Sequence, residues 1–394
     1  MSSNPLVIAS IAAKNYLPRV RAMAHSLRAH HPRLHVQVLL SDQLNGEIEQ
    51  EHEPFELVQL AELGLVEEQQ FCFRYDLKQR SSALKPFYLD YLLDQGYGSV
   101  LFLDPDMLIT ASLTPLLEPL ASNAIMLTPH LLRAAEGDRR VERELEILRA
   151  GVFNAGVIGV TESASARRFL GWWKERLSRH ARDSVEEGMY YDQRWLDLVP
   201  SLFTEVHIVR DPGCNIAHWN LTERKLSSEG DALSVEGQPC RLVHFSGYDP
   251  GNPETISGHA DWYSATADDP LRALMACYRE SLLVFGQEEA LTWVPAWEHF
   301  ANGCAVKPLM RELYATGDSA QWSADPFACD AQSFFAWLVQ PVDERSPTIL
   351  RVWDCLLRRY PHLQALWPDH LGEDRASFNH WIHAEGLQQF GFPA

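Results

Sequence analysis

The sequence predicts an α/β fold, with a mixed central sheet flanked by helices, followed by a C-terminal α-helical domain. Three observations support this prediction: a β-α-β pattern in the first forty residues, short apolar segments typical of buried strands up to about residue 260, and helical spacing without strand alternation after residue 265. With 394 residues, of which 46% are hydrophobic, the chain can form a core that needs neither disulfides nor a structural metal.

The first elements are a strand over residues 6–11, a helix over 17–30 and a strand over 34–40. Val20, Met23 and Leu27 recur at helical spacing, Pro18 suits a first helical turn, and Pro32 ends the helix. Further strands are predicted over residues 99–103, 124–127, 152–160, 206–209 and 241–245. Helices are predicted between them over residues 86–93, 139–148 and 164–180.

The C-terminal part is predicted to be helical. One amphipathic helix carries Leu271, Leu274, Met275, Tyr278, Leu282 and Phe285; a second runs over residues 349–360, with Ser346 and Pro347 as its cap. We place the domain boundary in the Gly/Pro/Asp-rich stretch 248–270, which gives domains of 1–262 and 263–394. Seven tryptophans of the second domain suit either core packing or an acceptor-binding surface, and helical spacing favours core packing. These are Trp293, Trp297, Trp322, Trp337, Trp353, Trp367 and Trp381.

Charge and cysteine usage exclude several functions. The net charge of −19 disfavours binding to nucleic acid and to anionic membranes. The seven cysteines are scattered and form no C-x-x-C pair, which is typical of thiols in a reducing compartment. We find neither a signal peptide nor an apolar run long enough to span a membrane, so we expect a cytoplasmic protein. The economical sequence also leads us to expect a bacterial protein.

The most informative motif is Asp104-Pro-Asp106 at the end of the apolar strand 99–103. Strand periodicity turns residues i and i+2 to the same side, so both carboxylates lie at a sheet edge where open α/β folds bind ligands. The alternative is an ordinary strand-to-turn junction. A second candidate ligand is His244, which follows a short strand and precedes Gly247; the alternative is a core histidine bonded to a backbone carbonyl. Two carboxylates and an imidazole suit Mn²⁺, with Mg²⁺ tolerated.

Polar residues elsewhere suit a hydroxyl-rich anionic ligand. Asn154 interrupts an apolar strand beside Gly156, which suits either a ligand contact or a β-bulge. Asp192 and Gln193 lie among aromatic residues, a mixture found on sugar-binding surfaces and also at helix starts. Four basic residues within twelve positions form either an anion-binding wall or a solvated loop: Arg74, Lys78, Arg80 and Lys85.

Six motifs in this order, NYLP, ALKP, LDPD, FNAGV, YDQ and HFSG, resemble those of metal-dependent glycosyltransferases of the GT-A fold, particularly family 8 and its bacterial relatives. The resemblance covers roughly residues 6–250. It implies a Rossmann-like GT-A domain that transfers a sugar from a nucleotide-diphosphate donor, with UDP-sugars expected, and that retains the anomeric configuration. The acceptor, whether glycan, lipid-linked or protein, stays open, as does the oligomeric state.

The resemblance also implies roles for individual residues. Asp104, Asp106 and His244 match the metal ligands, while Ser10, Ala12 and Tyr16 match the region that holds uracil and ribose. Donor contacts are implied for Lys85, Asp104, Asn154, Gly156 and Gly247, and for Asp192 and Gln193 near the anomeric carbon. Either Asp192 or Gln193 is expected to stabilise the sugar during transfer. Pro250 occupies the position of the lysine in the family pattern H-x-x-G-x-x-K-P-W, so the metal, Lys85 or another base such as Arg210 is expected to neutralise the diphosphate.

Other classes fit less well. A haloacid-dehalogenase-like phosphatase needs Thr or Val where the chain has Leu108, and a dinucleotide oxidoreductase needs a G-x-G-x-x-G motif after the first strand. A sugar nucleotidyltransferase needs a Gly-rich basic loop there. The remaining alternative is a catalytically weak or inactive scaffold that binds nucleotide sugars.

Overall fold

The computed structural model describes residues 5–230, 232–260, 269–317 and 321–393. The chain divides into two compact units: unit 1 comprises Met1–Gly64 and Leu77–Pro295, and unit 2 comprises Leu65–Asp76 and Ala296–Ala394. The predicted boundary between residues 262 and 263 lies outside the described residues, so it stays a prediction.

Unit 1 contains all the named strands of the described residues. They are β1 (Leu6–Ala12), β2 (His35–Leu40), β3 (Glu56–Gln59), β4 (Ser99–Leu103), β5 (Met107–Ile109), β6 (Ile125–Pro129), β7 (Phe153–Thr161), β8 (Asp183–Ser184), β9 (Met189–Tyr190), β10 (Val206–Ile208), β11 (Leu226–Glu229), β12 (Ala232–Val235), β13 (Gln238–Pro239) and β14 (Leu242–His244).

The helices of both units are numbered together along the chain. Those of unit 1 are α1 (Leu17–His30), α3 (Leu77–Ala83), α4 (Lys85–Asp94), α5 (Thr114–Leu117), α6 (Arg140–Ala150), α7 (Ala164–Leu177), α8 (Val199–Leu202), α9 (Pro270–Val284) and α10 (Gln287–Ala290). Those of unit 2 are α2 (Glu68–Arg74), α11 (Pro308–Thr316), α12 (Phe334–Leu338), α13 (Arg351–Arg359), α14 (Pro361–Gln364), α15 (Arg375–Trp381) and α16 (Leu387–Phe390).

The central sheet of the described residues has seven strands in the order β10-β6-β7-β4-β1-β2-β3. Its pairs are parallel except that β7 runs antiparallel to both β4 and β6. The central strands β1, β4 and β7 are almost wholly buried, which their continuous apolar sequences require. The predicted α/β class with a mixed sheet and a helical C-terminal region is therefore confirmed.

A second, two-stranded ladder extends from the end of β4. β5 pairs antiparallel with β14, and His244 lies opposite Met107. Sequence analysis predicted β14 but missed β5, whose three residues are too few to show a periodicity. It also missed the short edge strand β3.

Unit 2 is built from helices around an aromatic core. Trp353 is fully buried, and the partly buried Trp322, Trp337, Trp367 and Trp381 pack against the same core. These five tryptophans therefore agree with the prediction of core packing. The predicted cap of α13 was wrong: the helix begins at Arg351 after Leu350, and Ser346 and Pro347 lie in the preceding turn. Ser346 accepts the amide proton of Ile349 with its carbonyl, so it stabilises a turn before the helix.

All seven cysteines are free thiols, of which Cys72, Cys214 and Cys240 are buried. Within the described ranges, every helix falls short of the length or apolar character that crossing a bilayer requires.

Candidate functional site

Two backbone contacts position Asp104 and Asp106 and bring His244 beside them. The amide of Asp104 donates to the carbonyl of Gly156 at 2.9 Å, which ties the end of β4 to β7. The amide of Phe245 donates to the carbonyl of Asp106 at 2.9 Å, continuing the ladder between β5 and β14. The end of the central sheet and the short ladder therefore present both carboxylates and the imidazole to one place.

The coordinating atoms of Asp104, Asp106 and His244 all lie within 4.8 Å of one another. His244 Nε2 is 3.2 Å from Asp106 Oδ1 and 3.9 Å from Asp104 Oδ2. Burial opposes ionisation of Asp106, but His244 and then Arg19 outweigh it, so the pKa of Asp106 lies below its usual range. Residues 140 positions apart in sequence thus form one cluster with two anionic oxygens and one nitrogen.

This cluster suits a divalent cation. Two carboxylates and an imidazole form a donor set that Mn²⁺ accepts readily. Gly156 leaves the space open: a Cβ there would lie 2.7 Å from Asp104 Oδ2 and 2.8 Å from both His244 Cε1 and Asn154 Oδ1. A larger residue at 156 would displace the ligand atoms.

The cluster lies on the wall of a cavity of about 460 Å³ in unit 1. Its lining residues are Ile11, Ala12, Ala13, Tyr16, Leu77, Lys78, Ser81, Ser82, Lys85, Asp104, Pro105, Asp106, His244, Ser246, Gly247 and His259. The predicted donor residues Ala12, Tyr16, Lys85, Asp104 and Gly247 are among them. Gly247 has φ +71°, and a Cβ there would lie 2.7 Å from His259 Cδ2, so only glycine fits without strain.

The other predicted donor residues do not line this cavity. Ser10 is fully buried in β1 and does not line the cavity. Asn154, Gly156, Asp192 and Gln193 also lie outside the lining. Of these, Asp192 is linked to the cluster through Lys85, which it shares with Asp104.

Lys85 bridges two carboxylates. Its Nζ is 3.0 Å from Asp192 Oδ2 and 3.3 Å from Asp104 Oδ1, and it donates to the carbonyl of Ala155 at 2.9 Å. Burial disfavours the charge of Lys85, but the two carboxylates outweigh burial and raise its pKa. Burial also raises the pKa of Asp192, and Lys85 offsets this effect in part.

A row of buried amides lies beside the cluster. Asn154 and Gln193 bond to each other, and Asn154 bonds to Asn215, which in turn contacts His244. Sequence analysis missed Asn215 entirely. The sequence around Asn215 gives no signal of this role. In the structure Asn215 has a left-handed φ of +59°, a conformation that asparagine tolerates better than most residues.

Of the four basic residues of the predicted anion-binding wall, only two line the cavity. Arg80 is fully buried and its Nε donates to the carbonyl of Ser41, while Arg74 belongs to unit 2. Lys78 and Lys85 line the cavity. Arg210, the other base expected near the diphosphate, is exposed and does not line it.

No protein-family model matches the chain. Among curated proteins, it is similar to two uncharacterized proteins of Bacillus subtilis (strain 168). YfnF is 28% identical over 174 residues, which cover 42% of this chain and 55% of YfnF. YfnD is 25% identical over 252 residues, which cover 61% of this chain and 76% of YfnD. The match thus spans about half the length of YfnF.

Among solved structures, the chain is similar to the galactosyltransferase LgtC in complex with donor and acceptor sugar analogs, at 18% identity and a TM-score of 0.44. The alignment covers 73% of this chain and 97% of LgtC. It is also similar to the glycosyltransferase GlyE of Streptococcus pneumoniae TIGR4, at 16% identity and a TM-score of 0.42. That alignment covers 76% of this chain and 67% of GlyE.

Proposed function

We propose that this protein is a metal-dependent glycosyltransferase of the GT-A fold that transfers a sugar from a UDP-sugar, with retention of configuration. The observation that carries the proposal is the convergence of Asp104, Asp106 and His244 on the wall of a cavity that Tyr16 also lines. Tyr16 is 41% exposed, so its ring is available to stack on a nucleotide base. The motif resemblance to family 8 supports the same assignment.

Asp104, Asp106 and His244 would hold the cation, with Mn²⁺ preferred over Mg²⁺ because of the imidazole ligand. When bound, the cation supplies positive charge that stabilises the departing diphosphate. Gly247 allows the backbone to approach the donor phosphates closely. Lys78 and His259, which line the same cavity, add positive charge or hydrogen bonds to the diphosphate in place of the lysine replaced by Pro250.

During transfer, the bond between the anomeric carbon and the diphosphate oxygen breaks, and its electron pair stays on the diphosphate. The acceptor hydroxyl oxygen bonds to the anomeric carbon, and its proton passes to the departing diphosphate oxygen. We assign Asp192 to stabilise the positive charge that develops on the sugar, because the ion pair with Lys85 at 3.0 Å favours its anionic form against the effect of burial. Gln193 is less suited to this role, since both ends of its amide already have protein partners.

We place the protein in a bacterial cytoplasm. Seven free cysteines, three of them buried, suit a reducing compartment, and the similar proteins YfnF and YfnD are bacterial. Fractionation of cells that express the full chain tests this placement, and recovery of the protein from the medium would contradict it.

The enzymatic test is incubation with a panel of UDP-sugars and Mn²⁺, with released UDP as the readout. We expect slow Mn²⁺-dependent UDP release from the true donor by the wild type, and loss of this release in Asp106→Ala. Asp138→Ala, an exposed carboxylate outside the cavity lining, is the matched control and should behave as the wild type. Thermal melting should show that both variants fold.

Two results would contradict the proposal. Equal UDP release by Asp106→Ala and the wild type would show that the cluster of Asp104, Asp106 and His244 takes no part in the reaction. Donor binding by the wild type without any turnover, across the whole panel, would favour the inactive scaffold.

A further inference from the structure

Three buried amides connect His244 to the backbone at the end of α6. We call Asn215, Asn154 and Gln193 the amide chain. His244 Nδ1 lies 3.2 Å from Asn215 Oδ1, and Asn215 Nδ2 lies 3.1 Å from Asn154 Oδ1. Asn154 Nδ2 lies 3.1 Å from Gln193 Oε1, and Gln193 Nε2 lies 2.9 Å from the carbonyl oxygen of Ala150. All three residues are more than nine-tenths buried.

Backbone groups fix which end of each amide is oxygen and which is nitrogen at Gln193 and Asn154. The carbonyl of Ala150 only accepts hydrogen bonds, so the Gln193 atom beside it is the NH₂ nitrogen. The amide of Ala155 donates to the other end of Gln193 at 3.1 Å, which is therefore oxygen. The amide of Gly156 likewise donates to Asn154 at 3.1 Å and identifies Oδ1 there.

These two assignments determine the orientation of Asn215. Because Asn154 Oδ1 only accepts, the Asn215 atom 3.1 Å away is its NH₂ nitrogen. The other end of Asn215 is then oxygen, and this oxygen faces His244 Nδ1. An amide oxygen cannot donate, so the hydrogen of this contact belongs to His244 Nδ1.

A neutral imidazole carries one ring hydrogen, so a hydrogen on Nδ1 leaves a lone pair on Nε2. Nε2 is the atom that faces the oxygens of Asp106 and Asp104, at 3.2 Å and 3.9 Å. A lone pair and two carboxylates that point at one another repel until a proton or a metal cation lies between them. Partners of the non-ligating nitrogen commonly set the tautomer of metal-binding histidines in this way.

We propose that the amide chain is a positioning device that holds neutral His244 in the Nδ1–H tautomer and so offers Nε2 to the cation. Asn154 and Gln193 then act on the cation site through Asn215 and His244. The part of this inference that concerns the cation rests on the proposed function, whereas the tautomer does not.

The first experiment reads the tautomer directly. In metal-free, ¹⁵N-labelled wild type at a pH where the imidazole is neutral, long-range ¹H–¹⁵N spectra identify the protonated ring nitrogen of His244, assigned by comparison with His244→Gln. We expect a protonated Nδ1 and an unprotonated Nε2. A neutral ring protonated at Nε2 would overturn the inference without any variant.

The second experiment removes the link next to His244. Asn215→Gly deletes the amide, and glycine tolerates the left-handed φ of +59°. We expect a mixture of the two tautomers in this variant and Mn²⁺ affinity reduced about 10- to 100-fold, measured as free Mn²⁺ by electron paramagnetic resonance. Asn123→Gly is the control, because the Asn123 amide bonds to the carbonyl of Pro119 outside the amide chain.

The outcomes separate the two proposals. Unchanged tautomer and unchanged Mn²⁺ affinity in Asn215→Gly would overturn the positioning role. Absence of Mn²⁺ binding in the wild type would refute the proposed metal site, while the spectra would still decide the tautomer.

Discussion

The two units bury cationic side chains among different partners. In unit 1, buried Lys85 is paired with the carboxylates of Asp104 and Asp192 at a cavity wall. In unit 2, buried Arg311 donates to the backbone carbonyls of Cys72, Phe73 and Tyr75 at 2.8–3.2 Å. A cation bonded mainly to backbone carbonyls fixes the course of the chain, whereas one shared by two carboxylates beside a cavity holds chemical groups in place. Removal of each should therefore affect different properties.

Arg311 should carry the larger share of stability. It also donates to Glu298 at 2.7 Å, so Arg311→Met removes one buried donor from a carboxylate and from several carbonyls. We expect a loss of about 3–5 kcal/mol in the free energy of unfolding, measured by denaturant titration, with Mn²⁺ affinity unchanged. Arg359→Met, which removes a half-exposed pair with Glu312, should cost about 1 kcal/mol or less. Equal losses of unfolding free energy in both variants would contradict the larger stabilising role of Arg311.

Buried His130 in unit 1 should make the stability of the fold depend on pH. It is buried beside Asn154 in unit 1, and burial lowers the pKa of His130 to about 4. Between pH 6.5 and 4 the unfolded chain binds a proton at this residue that the folded chain does not, so the folded state loses stability as pH falls. We expect wild type to lose about 3 kcal/mol relative to His130→Gln across this range.

The measurement is urea unfolding of both proteins at several pH values, because the difference between them isolates His130 from other histidines. Parallel pH profiles for wild type and His130→Gln would contradict the low pKa of His130.

Lys78 should affect ligand binding more than folding. It is exposed, lines the cavity, and its Nζ lies 4.7 Å from the centre of the Tyr191 ring. Lys85 is already shared by two carboxylates, so Lys78 is the better placed of the two lysines to meet the donor phosphates. We expect Lys78→Gln to weaken Mn²⁺-dependent UDP binding about five- to tenfold by calorimetry, and uridine binding much less.

Lys225→Gln is the control for charge, since Lys225 is exposed and lies outside the cavity lining. An equal loss of UDP affinity in Lys225→Gln would indicate a general effect of net charge, and no loss in Lys78→Gln would exclude a phosphate contact.

The main elements of the sheet were predictable because their sequences are continuous apolar segments. β1, β4 and β7 lie within one residue of the predicted ranges, since burial on both faces demands such sequences. β5 and β3 were missed because three or four residues at an edge carry little pattern. The α13 cap was wrong because Ser346 and Pro347 suit a turn as well as a helix start.

In the candidate site, the residues at strand ends were predictable and their supporting partners were not. Asp104, Asp106 and His244 stand where strands stop, a position that sequence periodicity identifies. Asn215 lies in no strand or helix, and its partners are 29 and 61 positions away. Arg311 was missed for the same reason, because three of its acceptors are backbone carbonyls more than 230 positions distant.

Asp104, Asp106 and His244 are proposed to bind one divalent cation beside a nucleotide diphosphate. The most direct measurement is anomalous diffraction from crystals grown with Mn²⁺ and UDP. We expect one strong manganese peak within coordinating distance of all three side chains and of the diphosphate oxygens. A fully occupied peak away from these three residues, or bound UDP with no manganese beside them, would contradict it.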